Sequence, residues 1–276
     1  MTDPAGGQNL VRLSHRVFGS GAAVLFLHGG GPGCSSWTDF RHSAPYAADG
    51  RQQVFADLAQ YGDSESGPIA GPAFDFHTAC VISLLDELDL QTADIVAQSL
   101  GGSVALNLAA THPERVNRIV VTGSQPVAAP ELTSANAALV RKVRTKYYGD
   151  GGPKPDKMRQ LLAELEWCDS SKIPAETVEA RYRHSITPWA LAVADGSGRG
   201  EAQDLSDRLP AVWHQTLWLW GARDPFAGPE YAFAAAALMP NADVTVLANT
   251  SHHPQEERPT AYGRAVREFL QRKEEQ

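Results

Sequence analysis

Residues 93–102 read ADIVAQSLGG. An apolar, β-rich run passes into a serine followed by two glycines, and the helical pattern beyond them ends near THPE, where Pro113 interrupts further helix. The order predicts a strand, a sharp turn carrying Ser99, and a helix. Such a turn brings the strand and helix backbones close together, so the positions two before and two after the serine must be small. Ala97 and Gly101 meet that demand. The turn would hold the Ser99 hydroxyl clear of the sheet and aim the following N–H groups outward, where the positive end of a helix favours a developing oxyanion.

Outward from this turn, short apolar runs alternate with amphipathic stretches, the pattern of a mostly parallel sheet covered by helices. The predicted strands are AAVLFLH from Ala22, QQVFADL from Gln52, ADIVAQ from Ala93, VNRIVVTG from Val116, QTLWLWG from Gln215 and ADVTVLA from Ala242. Val81, Leu84, Leu85 and Leu88 follow helical spacing, as do Tyr262, Val266, Phe269 and Leu270 near the C-terminus. Residues 127–206 break the rhythm. They contain helical patterns such as Met158, Leu161, Leu162 and Leu165, and turn-rich breaks, but no convincing strand. The expected organisation is an α/β core over 1–126 and 207–276, with a helical cap over 127–206.

Composition narrows the function. A chain of 276 residues, 43% hydrophobic, can bury a full core. Net charge is −8 and no block of lysines and arginines occurs, which argues against nucleic acid as a partner. The start MTDPAGGQNL lacks a basic segment followed by an apolar one, and no apolar run is long enough to span a bilayer, so the reading is a cytoplasmic protein without membrane attachment. Cys34, Cys80 and Cys168 are odd in number and lack CxxC spacing, against a disulfide framework or a thiolate metal site.

Three further stretches gather around the serine. LHGGGPG, from Leu27 to Gly33, follows a strand and lets the backbone approach a ligand, so that the N–H of Gly30 could pair with that of Leu100 as an oxyanion hole. It lacks the GK[ST] ending of a phosphate loop and does not fit GxGxxG. LWLWGARDP places Asp224 just beyond a strand end, where it could orient a histidine. NTSHHP then follows the last strand. In extended chain, adjacent side chains point to opposite sides, so His252 and His253 cannot readily chelate one metal; no metal site is expected. One histidine can face the serine. The order Ser, Asp, His is that of one known catalytic arrangement.

The run HHPQEERP resembles the α/β-hydrolase signature G-H-x-P-x-x-E-x-P, with His252 at the catalytic histidine, His253 at the variable position, Pro254, Glu257 and Pro259 matching, and Ser251 replacing the usual glycine. HGGGPG, Trp37, ADLAQYGDSES, the serine turn and WGARD complete a set spanning most of the core. HGGGPG followed by SSW is similar, within that superfamily, to the meta-cleavage product hydrolases, which cut a carbon–carbon bond in ring-opened aromatic dienols. The resemblance implies a cofactor-independent serine hydrolase with Ser99, Asp224 and His252 as triad, acting on a small molecule, with a homodimer as the family expectation. PAETVEARYRHSITP resembles the family's cap helix, and Arg181 matches its substrate-binding arginine. By the same resemblance Gly29, Trp37, Asp39, Gln98 and His253 would line or border the substrate pocket. Asp39 stands where the family usually has asparagine, Gln98 where asparagine precedes the nucleophile, and His253 where a tryptophan stands. A carboxylate at Asp39 would repel an anionic substrate unless protonated or paired. Ester or lactone hydrolysis uses the same triad and is the alternative; a small-ligand binding protein with vestigial catalysis is a third reading. A prolyl iminopeptidase fits less well, since its loop usually reads HGGPG.

Overall fold

The computed structural model describes residues 10–272, so residues 1–9, most of the stretch read above for a targeting segment, lie outside them. The strands are β1 (His15–Phe18), β2 (Ala23–Leu27), β3 (Gln52–Ala56), β4 (Ile69–Pro72), β5 (Ala93–Gln98), β6 (Val116–Thr122), β7 (Arg199–Glu201), β8 (Thr216–Gly221) and β9 (Ala242–Leu247). Seven of them form one sheet in the order β1-β3-β2-β5-β6-β8-β9, parallel throughout except where β1 runs against β3. Every strand expected from the sequence is present.

The central strands are apolar on both faces along most of their length because both faces of the sheet are covered. Leu25 and Leu27 of β2, Ile119 and Val121 of β6, and Trp218 and Trp220 of β8 point into one core, beneath the helices Ala73–Glu87, Leu100–Thr111 and Pro229–Ala236. Val24 and Phe26, Val120, and Leu217 and Leu219 point into the other, against the helix Pro259–Leu270. Each fully buried leucine or phenylalanine contributes about 1.5–3 kcal/mol. The stripe Tyr262, Val266, Phe269, Leu270 is buried as its spacing predicts.

Strand order reverses between β2 and β5: the chain leaves β2 toward β3 on one side, while β5 begins the run toward β9 on the other. Open parallel sheets leave a crevice at such a point, beyond the carboxyl ends of the strands. The loop after β2 is HGGGPG and the residue after β5 is Ser99. Topology alone therefore brings the two together.

Between β6 and β7 lie the helices Pro130–Tyr148, Pro155–Leu165, Ala175–Ser185 and Pro188–Ala192. Val143, Tyr147, Met158, Leu161, Leu162, Leu165 and Val178 form a third apolar cluster, separate from the two on the sheet. The expectation that residues 127–206 hold no strand is corrected: β7 pairs in parallel with β4 in a second, two-stranded sheet. β1 was likewise not expected. β7 is RGE and β1 is HRVF with three of four residues exposed, so neither carries the apolar alternation by which strands are read. Among the described residues no helix is long and apolar enough to cross a membrane.

Candidate active site

Ser99 adopts φ 47° and ψ −114° between β5 and the helix that follows. A non-glycine residue in so sparsely populated a conformation costs of the order of 1–3 kcal/mol, so its surroundings must impose it. They do so from both sides. The Ser99 N–H donates to Thr122 O at 2.7 Å, Ser124 Oγ donates to Ser99 O at 2.7 Å, and Gly101 N–H donates to His28 O at 3.0 Å. Gly101 has to be glycine: a Cβ there would stand 2.5 Å from Leu27 O and 2.7 Å from His28 O.

Asp224 lies on the loop after β8. Its Oδ1 accepts the Phe226 N–H at 2.8 Å, and its Oδ2 lies 2.7 Å from His252 Nδ1. Both residues are buried. With Nδ1 engaged by the acid, Nε2 is the ring nitrogen left to exchange a proton. The ring stacks on Phe226 with centroids 4.1 Å apart, and the His252 carbonyl accepts from Gln98 Nε2 at 3.3 Å. Glu257 holds the loop by accepting the N–H groups of Ser251 and, at 2.7 Å, of Cys168. Gly123, at φ +58°, completes the junction between histidine and serine. It follows the residue that accepts the Ser99 N–H, and a Cβ on it would stand 2.7 Å from His252 Cε1 and 3.3 Å from Asp224 Oδ2. Ser99, Asp224 and His252 thus gather at one rim of the sheet.

The glycine loop is anchored by a histidine that the sequence reading did not single out. His28 Nε2 accepts the Leu58 N–H at 2.8 Å, so its proton sits on Nδ1, which donates to Gly29 O at 2.7 Å. Burial holds this ring neutral, its pKa lowered to about 3. A Cβ on Gly30 would touch Leu100 Cβ at 3.3 Å, so the two residues expected to supply oxyanion donors are neighbours. Leu100 opens its helix, where the N–H has no partner one turn back. The Gly30 carbonyl accepts from Tyr61 Oη and from Arg144 Nη2, each at 3.3 Å.

The expected substrate contacts divide differently. Arg181 is fully buried, and its guanidinium is occupied: Nη1 and Nη2 donate to Glu166 Oε2 and Oε1 at 2.7 and 2.8 Å, and Nε donates to Pro32 O at 2.9 Å. The expectation that it offers a free fork to a substrate carboxylate is corrected. Glu166, fifteen residues earlier at the end of the helix Pro155–Leu165, carried no local signal of this pairing. His253 lies on the same network, Nδ1 2.9 Å from Glu256 Oε2 and Nε2 3.3 Å from Glu166 Oε2. Asp39 Oδ2 accepts the Gly29 N–H at 3.3 Å, while Oδ1 is buried without a partner. Gln98 is buried beside Gly29, whose missing side chain makes room for it. Trp37 is corrected also. It stacks on Phe18 at 5.2 Å, meets Phe55 edge-on and carries Arg16 over its ring at 5.4 Å, all toward the β1 edge.

Charge within the network explains its titration. Burial opposes ionisation of Glu166, but Arg181 and His253 outweigh it and lower the pKa to about 2. Burial likewise opposes a charged His253, and Glu166, Glu256 and Asp39 outweigh it, raising the pKa to about 9. Asp39 is pushed up to about 7, chiefly by burial. Three carboxylates thus face two cations, and a proton on Asp39 makes the balance even. Asp39, His253 and Glu256 bring ligand-type atoms within 4.8 Å of one another. Both His253 nitrogens already face carboxylates, the pattern of a protonated ring rather than of a metal ligand.

A cavity of about 930 Å³ lies under the helix Pro130–Tyr148. Its lining includes Pro32 of the glycine loop, Phe226, which stacks on His252, and Arg144, which donates to Gly30 O; Ser99 is not on its wall.

The family model of the alpha/beta hydrolase fold matches residues 22–259, and the chain belongs to that family. Its relatives define the branch more narrowly. The chain is 30% identical over 272 residues to the 2-hydroxymuconate semialdehyde hydrolase of Pseudomonas sp. (strain CF600), covering 94% of this chain and 90% of the relative. It is 28% identical over 269 residues to the 2-hydroxy-6-oxo-6-phenylhexa-2,4-dienoate hydrolase of Burkholderia cepacia, covering 96% and 93%. Among solved structures, the meta-cleavage product hydrolase from Pseudomonas fluorescens IP01 superposes with a TM-score of 0.79 at 21% identity over 95% of this chain and 97% of the other. An esterase from Thermogutta terrifontis does so with 0.76 at 23% identity over 98% and 96%. The last two speak for the fold.

Proposed function

We propose that this protein is a serine-dependent hydrolase that cleaves a carbon–carbon bond in a vinylogous 1,5-diketone, the ketonised form of a ring-fission dienol. The observation that carries the reading is the buried Asp224–His252 pair at 2.7 Å beside the strained Ser99 turn. The relatives' names supply the substrate class. His252, oriented by Asp224, takes the proton of Ser99 or of a water as either attacks the substrate carbonyl. The N–H groups of Gly30 and Leu100 hold the oxyanion. Cleavage adds water across the bond and releases a carboxylic acid and a 2-hydroxydienoate. In this reading residues 127–206 act as a cap over the site, and the protein works as a cytoplasmic homodimer without a cofactor.

Ester or lactone hydrolysis is the second reading, favoured by one observation: Glu166 neutralises the guanidinium expected to clamp a dienoate. A spectrophotometric assay of coloured dienols beside p-nitrophenyl esters separates the two. Turnover of esters alone would overturn the carbon–carbon reading.

A further inference from the structure

The cavity wall carries guanidinium groups that neither the triad nor the buried network uses. Arg141, Arg144 and Arg199 line it against one carboxylate among the lining residues, Asp195, whose Oδ1 accepts the N–H and hydroxyl of Ser197 and whose charge acts on Arg199, so the cations remain in excess. In a chain of net charge −8 this pocket is locally positive. Arg144 is half-buried on the helix Pro130–Tyr148, and among the described residues its guanidinium has a single hydrogen bond, from Nη2 to Gly30 O at 3.3 Å. Arg199 donates from Nη1 to Tyr61 Oη at 3.0 Å, and that hydroxyl donates in turn to Gly30 O. Two guanidinium groups from different segments therefore converge, one directly and one through a phenol, on Gly30, the residue to which the hydrolase reading gives the oxyanion.

A half-buried arginine with most of its donors unused and no carboxylate paired with it among the described residues is poised for an anion, and its planar fork suits a carboxylate. Arg181 already has its charge paired with Glu166 and its Nε bonded to Pro32 O. We propose that Arg144, assisted by Arg199, is the specificity-determining contact for the substrate's carboxylate, which lies in this cavity while the carbonyl under attack lies at Ser99. The assignment rests on the hydrolase reading above and names the group that recognises the acidic end of its substrate. Val140 and Leu191 on the same wall leave the rest of the pocket apolar, as a hydrocarbon chain requires.

The test is a ratio: kcat/KM for a ring-fission dienoate over that for its methyl ester. Arg144→Gln should lower it about 10- to 100-fold through the KM of the acid, the loss of one charge-assisted bidentate contact. Arg199→Gln should lower it less, and Arg144→Lys should restore part of it. An unchanged ratio in Arg144→Gln overturns the proposal, as does an unsubstituted protein that prefers the methyl ester. Thermal unfolding of each variant checks that it is folded. If the protein cleaves only esters, the carbon–carbon reading fails, but p-nitrophenyl hemiglutarate against p-nitrophenyl valerate gives the same ratio and decides the arginine. Equilibrium binding of the dienoate and its methyl ester to Ser99→Ala, with and without Arg144→Gln, gives it once more without turnover: a smaller preference for the acid supports the subsite, and an equal one overturns it.

Discussion

His252 faces one carboxylate, Asp224 Oδ2 at 2.7 Å, whereas His253, the next residue, lies between two, Glu256 at 2.9 Å and Glu166 at 3.3 Å. Both rings are buried. The first keeps one nitrogen, Nε2, without a hydrogen bond among the described residues. The second has both nitrogens opposite negative charge and is built to keep its proton. What distinguishes the two rings is therefore the count of acids around each, although their centroids lie only 5.5 Å apart. The arginines divide in the same way, Arg181 fully paired and Arg144 nearly free.

The contrast is sharpest at the serine. Ser99→Ala should lower turnover by about three orders of magnitude or more while leaving the His253 network and the unfolding midpoint nearly unchanged. Near-normal turnover of the preferred substrate would remove Ser99 as nucleophile. On the other side of the comparison, Glu166→Gln should cost stability rather than chemistry, about 3–5 kcal/mol by urea unfolding, because it strands a buried guanidinium. Replacing the pair together, Glu166→Leu with Arg181→Met, should recover most of that loss. A stable single variant would mean that water or another acid takes over Arg181.

Gly123→Ala probes the junction of serine and histidine. The new methyl group would press on the His252 ring at a backbone of φ +58°, so turnover should fall about 100-fold, more than the folding cost of roughly 1–3 kcal/mol alone explains at saturating folded protein. Unaltered kinetics would show that the ring has room to shift.

The smallest effect is in the pH dependence of stability. The pKa of His253 is raised on folding from 6.5 to about 9, so its contribution is fully present below 6.5 and is lost as pH rises through 9. Asp39, raised from 3.8 to about 7, acts with the same sign in a lower window. Glu166, lowered from 4.5 to about 2, contributes above 4.5 and loses that contribution as pH falls through 2. Unfolding midpoints of His253→Gln between pH 6.5 and 9 should therefore fall less steeply than those of the unsubstituted chain. Parallel slopes would mean that His253 titrates as it does when unfolded.

Much of this is legible in the sequence. ADIVAQSLGG, LHGGGPG, WGARDP and HHPQEERP each carry a local pattern, and their order along the chain places them at the ends of successive parallel strands. β1 and β7 were not legible, being short and half-exposed, with no face to bury. Nor was the true partner of Arg181. The spacing of PAETVEARYRHSITP marks a helix and a buried face, but an ion pair with Glu166 depends on how two helices cross.

The chain's own order of residues determined the sheet, the serine turn and the candidate triad, because each depends on backbone periodicity and on small residues at set distances from one another. Tertiary structure alone decided which histidine faces one carboxylate and which faces two, which arginine is paired and which lines the cavity. Those distinctions are made by charges brought within a few ångströms across the fold, where burial magnifies every pairing and local sequence has no say.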